Sequence, residues 1–308
     1  MEEEIYDIVI LGGGPAGLTA ALYSARFELK TIVLSKDFGG TANLAPKIEN
    51  WPGFIGSGIE LMKKFKEQAE MFGAKFKETE IKKVNKNIFF EVETKDEKIF
   101  GKTIIVALGT EHRKLEIKGE EEFVGKGVSY CAVCDALFFK NKIVSVIGGA
   151  NSAAICALYL SKIAKKVYII YRRDKMRCEP ISLTRLKEKE NIEIIYNSIP
   201  KEIIGDKKVQ KLKVIQENKE IELKIDGIFI EIGATPTTKV IENLKLNIDC
   251  DGYIKTNKKM ETSFPGIFAA GDITDNCLKQ VVTATGEGAI AAYSALEYLT
   301  KNKNDKKS

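Results

Sequence analysis

Two cysteines separated by two residues, Cys131 and Cys134 in Cys-Ala-Val-Cys-Asp, are the pair in this chain whose type and spacing suit redox chemistry. Such a pair can close a small disulfide ring, and at the start of a helix the dipole favours a thiolate. Half of a zinc site and two structural thiols are the alternatives. Zinc needs four ligands, yet no second such pair occurs and the one histidine is His112, so no metal site is expected. Asp135 is the titratable side chain next to the pair, a proton donor or else a helix cap. His112 reads as a solvated loop residue. Among the other cysteines, Cys156 falls in an apolar helical stretch and reads as packing, while Cys178, Cys250 and Cys277 read as loop residues.

Glycine turns supply the second kind of chemistry. Gly12-Gly13-Gly14-Pro15-Ala16-Gly17 satisfies the G-x-G-x-x-G dinucleotide pattern after a strand and at the mouth of a helix. Gly12 permits the tight turn, Gly14 lets a pyrophosphate approach the backbone, and Gly17 lets helix and strand pack closely. The helix start adds free N–H groups and positive dipole. The ribose acid expected after the next strand is less defined: Ser35 follows that strand and Asp37 lies two residues on.

A second turn, Gly148-Gly149-Ala150-Asn151-Ser152-Ala153, fits G-x-G-x-x-A only with Ala150 at the middle glycine. The next strand is followed by Arg172-Arg173-Asp174-Lys175-Met176-Arg177, and arginine in that place is what a 2′-phosphate reader needs. A solvated basic turn is the alternative.

These turns need strand–helix–strand units to hold them. Ile5–Leu11, Pro15–Ala25 and Thr31–Leu34 read as one such parallel unit, and Ile143–Ile147, Asn151–Ile163 and Val167–Tyr171 as another. The pattern is an internal duplication of a nucleotide-binding design. Helix-like Ile59–Phe72 and strands near Ile88–Glu93 and Lys102–Ala107 lie between the two units. Strands at Ile192–Tyr196, Lys211–Gln216, Ile221–Ile225 and Gly227–Glu231 follow, then a buried strand in Gly266–Ala270 and a helix over Gln280–Leu299. The polar tail from Lys301 is expected to fray.

The chain has 308 residues, long enough for two domains, and 30% charged with 44% apolar residues reads as an ordinary globular composition. A net charge of +5 with lysines interleaved among acids gives no nucleic-acid stripe. The acidic opening Glu2-Glu3-Glu4 is unlike a secretory signal. No apolar run approaches the roughly 20 residues of a membrane span, so the expected location is the cytoplasm.

Taken together the motifs resemble low-molecular-weight thioredoxin reductases over almost the whole chain. The pieces fall in family order: the GGGPAG turn, Gly39-Gly40, Glu49–Gly53, Val106–Thr110, Cys131–Asp135, Arg172–Arg177, Gly233–Pro236 and Gly266–Asp272. The resemblance implies an α/β chain of two Rossmann-like three-layer domains, the second inserted into the first. Residues 1–112 with 246–308 would bind FAD, and 113–245 would bind NADPH and carry the cysteines. It implies FAD contacts at Gly12, Gly14, Pro15, Ala16, Gly17, Gly39, Gly40, Thr41, Asn50, Ala107 and Gly109. Asp272 would hold the ribityl chain, with Lys279, Gln280 and Val281 at the isoalloxazine ring. NADPH would use Gly148, Gly149, Asn151, Ser152, Ala153, Arg172, Arg173 and Arg177.

By the same resemblance the protein is a homodimer whose two domains rotate against each other. Electrons run from NADPH to FAD, to the Cys131–Cys134 disulfide, then to thioredoxin. Cys134 would lie against the flavin, Cys131 would attack thioredoxin, and Asp135 would serve acid–base catalysis. The chain departs from the family pattern at Ala136, Ala150, Ala154-Ile155-Cys156, Tyr171 and Lys279. The departures in the second turn leave room for ferredoxin or a deazaflavin as donor. A small-molecule dithiol oxidase and a flavin redox sensor without turnover are the other readings. The arginine cluster argues against the oxidase, and a catalytic cycle with a protein disulfide would separate an enzyme from a sensor.

Overall fold

A computed structural model describes residues 4–45 and 47–304. The chain divides into two compact units, residues 1–111 with 235–308 and residues 112–234. The second crossing therefore comes earlier than the sequence pattern suggests. Residues 235–245 go with the first unit because Ile241 and Leu244 are buried against Val84, Phe90 and Ile254. The two crossing segments, Thr110–His112 and Ala234–Pro236, pair as short strands.

The first unit is built on a parallel sheet ordered Lys75–Glu78, Thr31–Phe38, Ile5–Gly13 and Lys98–Val106. Lys98–Val106 then forks. Its first half pairs antiparallel with Phe90–Thr94, which continues into Ile81–Lys86, and its second half pairs parallel with Ile267–Ala269. Strand residues alternate between two cores, because side chains on a strand point to opposite faces. Ile8, Ile10, Val33 and Ile105 meet the helices Pro15–Arg26 and Val281–Asn304. Val9, Leu11, Leu34, Ile104 and Val106 meet the antiparallel strands and the segment around Ile254. The last helix continues past Lys301 to Asn304, so the tail is ordered further than its polarity suggests; residues 305–308 lie outside those described.

The second unit repeats the plan. Its parallel sheet runs Val128–Ser129, Gly227–Ile230, Ile143–Ile147, Lys166–Ile170 and Ile192–Ile195. One face, with Val146, Ile169 and Phe229, packs on the helix Asn151–Leu160. The other, with Ile147, Ile170 and Ile228, packs on the antiparallel strands Ser198–Gly205, Val209–Gln216 and Lys219–Lys224. Both units are thus three-layered.

Two glycines of the last helix differ in what surrounds them. A Cβ on Gly288 would stand 2.2 Å from the Ala16 carbonyl oxygen, whereas one on Gly286 would meet open space. Gly286→Ala should stabilise by about 0.5–1 kcal/mol through helix propensity. Gly288→Ala should destabilise by about 1–3 kcal/mol through overpacking. Urea unfolding midpoints of the two variants, moving in opposite directions, check this.

Candidate active site

The first glycine turn has the geometry its spacing predicts. Gly12 has φ +104°, and a Cβ there would overlap the Ala107 carbonyl oxygen at 2.2 Å. One on Gly17 would lie 1.9 Å from the Gly12 carbonyl oxygen. These two glycines are needed for packing within the protein. Gly14 is different: it sits extended at the head of the helix, and a Cβ there would touch nothing within 4 Å. The open side of Gly14 is the side a pyrophosphate would occupy, so this cradle fits a dinucleotide.

Tertiary structure gathers further residues around that cradle. A Cβ on Gly40 would lie 3.3 Å from the Gly14 Cα, so the Gly39-Gly40 turn closes on the first. Asp37 accepts the Gly40 N–H at 3.0 Å and Ser35 Oγ accepts the Gly13 N–H at 3.0 Å. The residues after the second strand thus shape the turns. Thr41 is exposed beside Ala42, and Ala42 is buried with Leu18, Ile48 and Met62, against which Val281 packs. Asn50 Nδ2 donates to Gln280 Oε1 at 2.9 Å, uniting residues 230 apart in sequence. Ala107 is buried behind Gly12, and Gly109, with φ +66°, accepts the Thr237 N–H at 3.1 Å.

Asp272 follows Gly271, whose added Cβ would lie 2.9 Å from the Ala16 Cβ, so the C-terminal segment reaches the head of the fingerprint helix. Burial pushes the Asp272 carboxyl up, and the Lys279 ammonium opposes that. Burial likewise lowers Lys279, which donates to the Thr274 carbonyl and lies 4.3 Å from the Tyr253 ring centroid. The loop is held by Glu287, which the sequence reading missed. Its carboxylate is 7% exposed and accepts from Gly271 N at 2.7 Å, Thr274 Oγ1 at 3.1 Å and Asn276 Nδ2. An acid in a helix otherwise rich in small residues was the available signal.

In the second unit Cys131 and Cys134 form a disulfide, with Cα atoms 5.4 Å apart. Cys131 caps the one-turn helix Ala132–Asp135, and its sulfur accepts the Cys134 N–H at 3.1 Å. Ser129 fixes Cys131 from behind: its hydroxyl accepts the Cys131 N–H at 3.0 Å and donates to the Cys131 carbonyl at 3.2 Å. Tyr130 donates to the buried Glu120 carboxylate at 2.6 Å. Ala132 and Ala136 pack on Ala153 and Ala157 of the helix after the second glycine turn, so the disulfide and that turn share one frame. Cys134 is exposed and Cys131 half-buried. Asp135 is half-buried and its side chain caps no helix, which removes the capping alternative.

The second turn repeats the first with two of its three fingerprint glycines replaced by alanine. A Cβ on Gly148 would stand 2.1 Å from the Glu231 carbonyl oxygen, the counterpart of Gly12 against Ala107. Ala150 caps the helix at φ −105°, ψ −169°, close to Gly14 at φ −76°, ψ −174°. Alanine takes that conformation without strain. Its methyl stands on the side that Gly14 leaves open. Ala153, fully buried, replaces the third glycine. Asn151 accepts the Glu179 N–H at 2.7 Å, and Ser152 is exposed in the first helical turn. Arg172, Arg173 and Arg177 are all exposed past the strand Lys166–Ile170.

Cys156 is buried as expected, its thiol pushed well up by burial and by the nearby Glu231 carboxylate. Cys250 and Cys277 are exposed; Cys178 lies in the loop before the helix Pro180–Lys187, half-buried against the core of its unit. His112 departs from expectation. It ends a short strand, half-buried with its ring 6.0 Å from that of Tyr130, and burial lowers its pKa. Among the described residues no group of three or more His, Cys, Asp or Glu side chains could hold a metal. No helix there is long and apolar enough to cross a membrane.

Two dinucleotide turns and a dithiol pair within paired α/β units define a nucleotide-linked disulfide oxidoreductase. The chain belongs to the pyridine nucleotide-disulphide oxidoreductase family, which it matches over residues 6–288. It is 44% identical to the thioredoxin reductase of Listeria monocytogenes over 308 residues, spanning 98% of this chain and 96% of that one. Identity to the Bacillus subtilis thioredoxin reductase is 42% over 304 residues, 97% of this chain and 96% of the relative. Among solved structures, Lactococcus lactis thioredoxin reductase in its FR conformation superposes with a TM-score of 0.93 at 41% identity, covering 96% of this chain and 99% of the other.

Glu231 gives the second unit a pH response. Burial raises its carboxyl from the ordinary 4.5 to about 7. The folded state therefore favours the protonated form. That stability is fully present below about pH 4.5 and is lost as pH rises through about 7. Glu231→Gln, which cannot ionise, should flatten this dependence, gaining about 1–3 kcal/mol on the parent between pH 5 and pH 8. Urea unfolding at the two pH values measures it.

Proposed function

We propose that the protein is a thioredoxin-disulfide reductase that takes electrons from NADPH and delivers them through FAD and the Cys131–Cys134 disulfide to oxidised thioredoxin. The observation that carries this reading is a disulfide at a helix start, packed on the helix of a second dinucleotide turn. FAD belongs to the first unit, at the Gly12–Gly17 turn, Gly39–Thr41, Asn50, Ala107, Gly109, Asp272 and Lys279–Val281. NADPH belongs to the second, at Gly148, Gly149, Asn151–Ala153 and the arginines 172, 173 and 177. When bound, FAD supplies a two-electron relay between the nicotinamide and the disulfide. The cytoplasm suits four further cysteines that stand as free thiols. A homodimer would form on the face bearing exposed Tyr23, Ile290 and Tyr293, and sedimentation showing a monomer at micromolar concentration would overturn it.

The chain's own residues account for the exchange. In the reduced pair the Cys131 thiolate is held by the Cys134 N–H at the helix start. It attacks one sulfur of the thioredoxin disulfide; a Cys131–thioredoxin bond forms and the other thioredoxin sulfur leaves as a thiolate. Asp135 protonates that leaving sulfur and regains a proton from the Cys134 thiol. Cys134, now a thiolate, attacks Cys131, restoring the internal disulfide and releasing the second thioredoxin sulfur as a thiolate. The two electrons end on thioredoxin.

Either cysteine changed to Ser should abolish thioredoxin reduction with FAD retained, and Cys134→Ser should trap the mixed disulfide through Cys131. Trapping by Cys131→Ser instead would reverse the roles. Asp135→Asn should slow the disulfide step by about 10²–10⁴-fold while sparing flavin reduction by the donor; unchanged turnover would remove Asp135 from the mechanism. The decisive experiment for the donor compares anaerobic bleaching of the flavin by NADPH, NADH and reduced ferredoxin. NADPH should bleach it at the lowest concentration, and bleaching by ferredoxin alone would overturn the assignment.

A further inference from the structure

We propose that Tyr171 is a positioning residue for nucleotide selection, holding the Arg177 guanidinium at the second glycine turn in readiness for the 2′-phosphate of NADPH. The inference rests on the reading that the arginine cluster takes that phosphate. Tyr171 directly follows the strand Lys166–Ile170 and is 5% exposed. Its backbone is pinned on both sides: its N–H donates to the Ile195 carbonyl at 3.0 Å, and its carbonyl accepts the Ser198 N–H at 3.0 Å. The ring lies flush on Gly149, where a Cβ would come within 2.4 Å of it. The hydroxyl accepts from Arg177 Nε at 3.2 Å, while the Arg177 backbone N–H donates to the Gly149 carbonyl at 2.7 Å.

Arg177 is therefore tied to the turn at two points, once by its backbone and once through Tyr171. Its neighbours Arg172 and Arg173 make no side-chain hydrogen bond or ion pair among the described residues. A guanidinium carries five N–H donors in one plane. Engaging Nε–H on a fixed hydroxyl sets that plane and leaves the two terminal nitrogens for a phosphate. An untethered arginine must surrender rotamer freedom on binding, whereas a held one has already done so. Tyr171 thus acts only where the ligand carries a 2′-phosphate.

Tyr171→Phe keeps the ring and removes only the hydroxyl, so the fold is preserved. Calorimetric titration of the oxidised holoenzyme with NADP+, NAD+, 2′,5′-ADP and AMP reads the effect. The variant should bind NADP+ and 2′,5′-ADP about five- to tenfold more weakly, the scale of one hydrogen bond to a charged group's orientation, with NAD+ and AMP unchanged. In an Arg177→Ala background, adding Tyr171→Phe should change nothing further, because the tyrosine acts through that arginine. If Arg177→Ala weakens NADP+ but Tyr171→Phe does not, the phosphate reading stands and the positioning role falls. If neither variant alters the preference for NADP+ over NAD+, the arginine reading itself fails. Equal losses for NADP+ and NAD+ in Tyr171→Phe would show a disturbed turn, and would also overturn the proposal.

Discussion

Two backbone contacts that admit no side chain organise both halves of this protein. Gly12 lies against the Ala107 carbonyl and Gly148 against the Glu231 carbonyl, at separations where even a methyl group would overlap. Each contact joins the end of a central strand to the end of its parallel neighbour, and so fixes where the following helix begins. Once the helix start is fixed, the direction of its N–H groups is fixed too, and with it the place where a pyrophosphate can be held. The remaining site residues are arranged about these two points.

The first unit shows how far this constraint reaches. The Gly39-Gly40 turn and the Gly271-Asp272 turn come from separate stretches of chain, yet both close on the head of one helix, while the Asn50–Gln280 hydrogen bond ties two further distant segments of the unit together. Small residues make this possible. A Cβ on either Gly271 or Gly288 would overlap Ala16, so a side chain at either glycine would force its segment away from the fingerprint helix. Glu287 completes the arrangement by tying Gly271, Thr274 and Asn276 together from inside the fold, a buried carboxylate satisfied by three donors.

The second unit uses the same contact with different chemistry around it. Ala150 and Ala153 replace glycines without backbone strain, so the duplication keeps its shape while narrowing the ligand side of the turn. A tyrosine laid on Gly149 and an arginine hydrogen-bonded to it put a guanidinium beside this turn. Ala132 and Ala136 are buried in the same core as the helix after the turn, so the redox pair and the second dinucleotide turn belong to one compact unit.

Period and spacing were enough to read much of this from the sequence. Short apolar runs ended by glycine turns define the two parallel units, because glycine permits the positive φ that Gly12 and Gly148 adopt in the tight turn into the helix. The Cys-x-x-Cys spacing points to the redox pair, because two cysteines so spaced can close a short disulfide ring at a helix start. What sequence left undecided were contacts between residues far apart in the chain. The crossing at 234–235 depends on where Ile241 and Leu244 are buried, and no local pattern encodes that. Ser35 and Asp37 stand where a ribose acid was sought, and only the folded chain shows them bonded to Gly13 and Gly40. Glu287 and Glu120 carry no motif, and Tyr171 stands out in the sequence only as a departure from a family pattern. Each acquires its role from hydrogen-bond partners brought to it by packing, and a buried polar group is defined by those partners rather than by its neighbours in sequence.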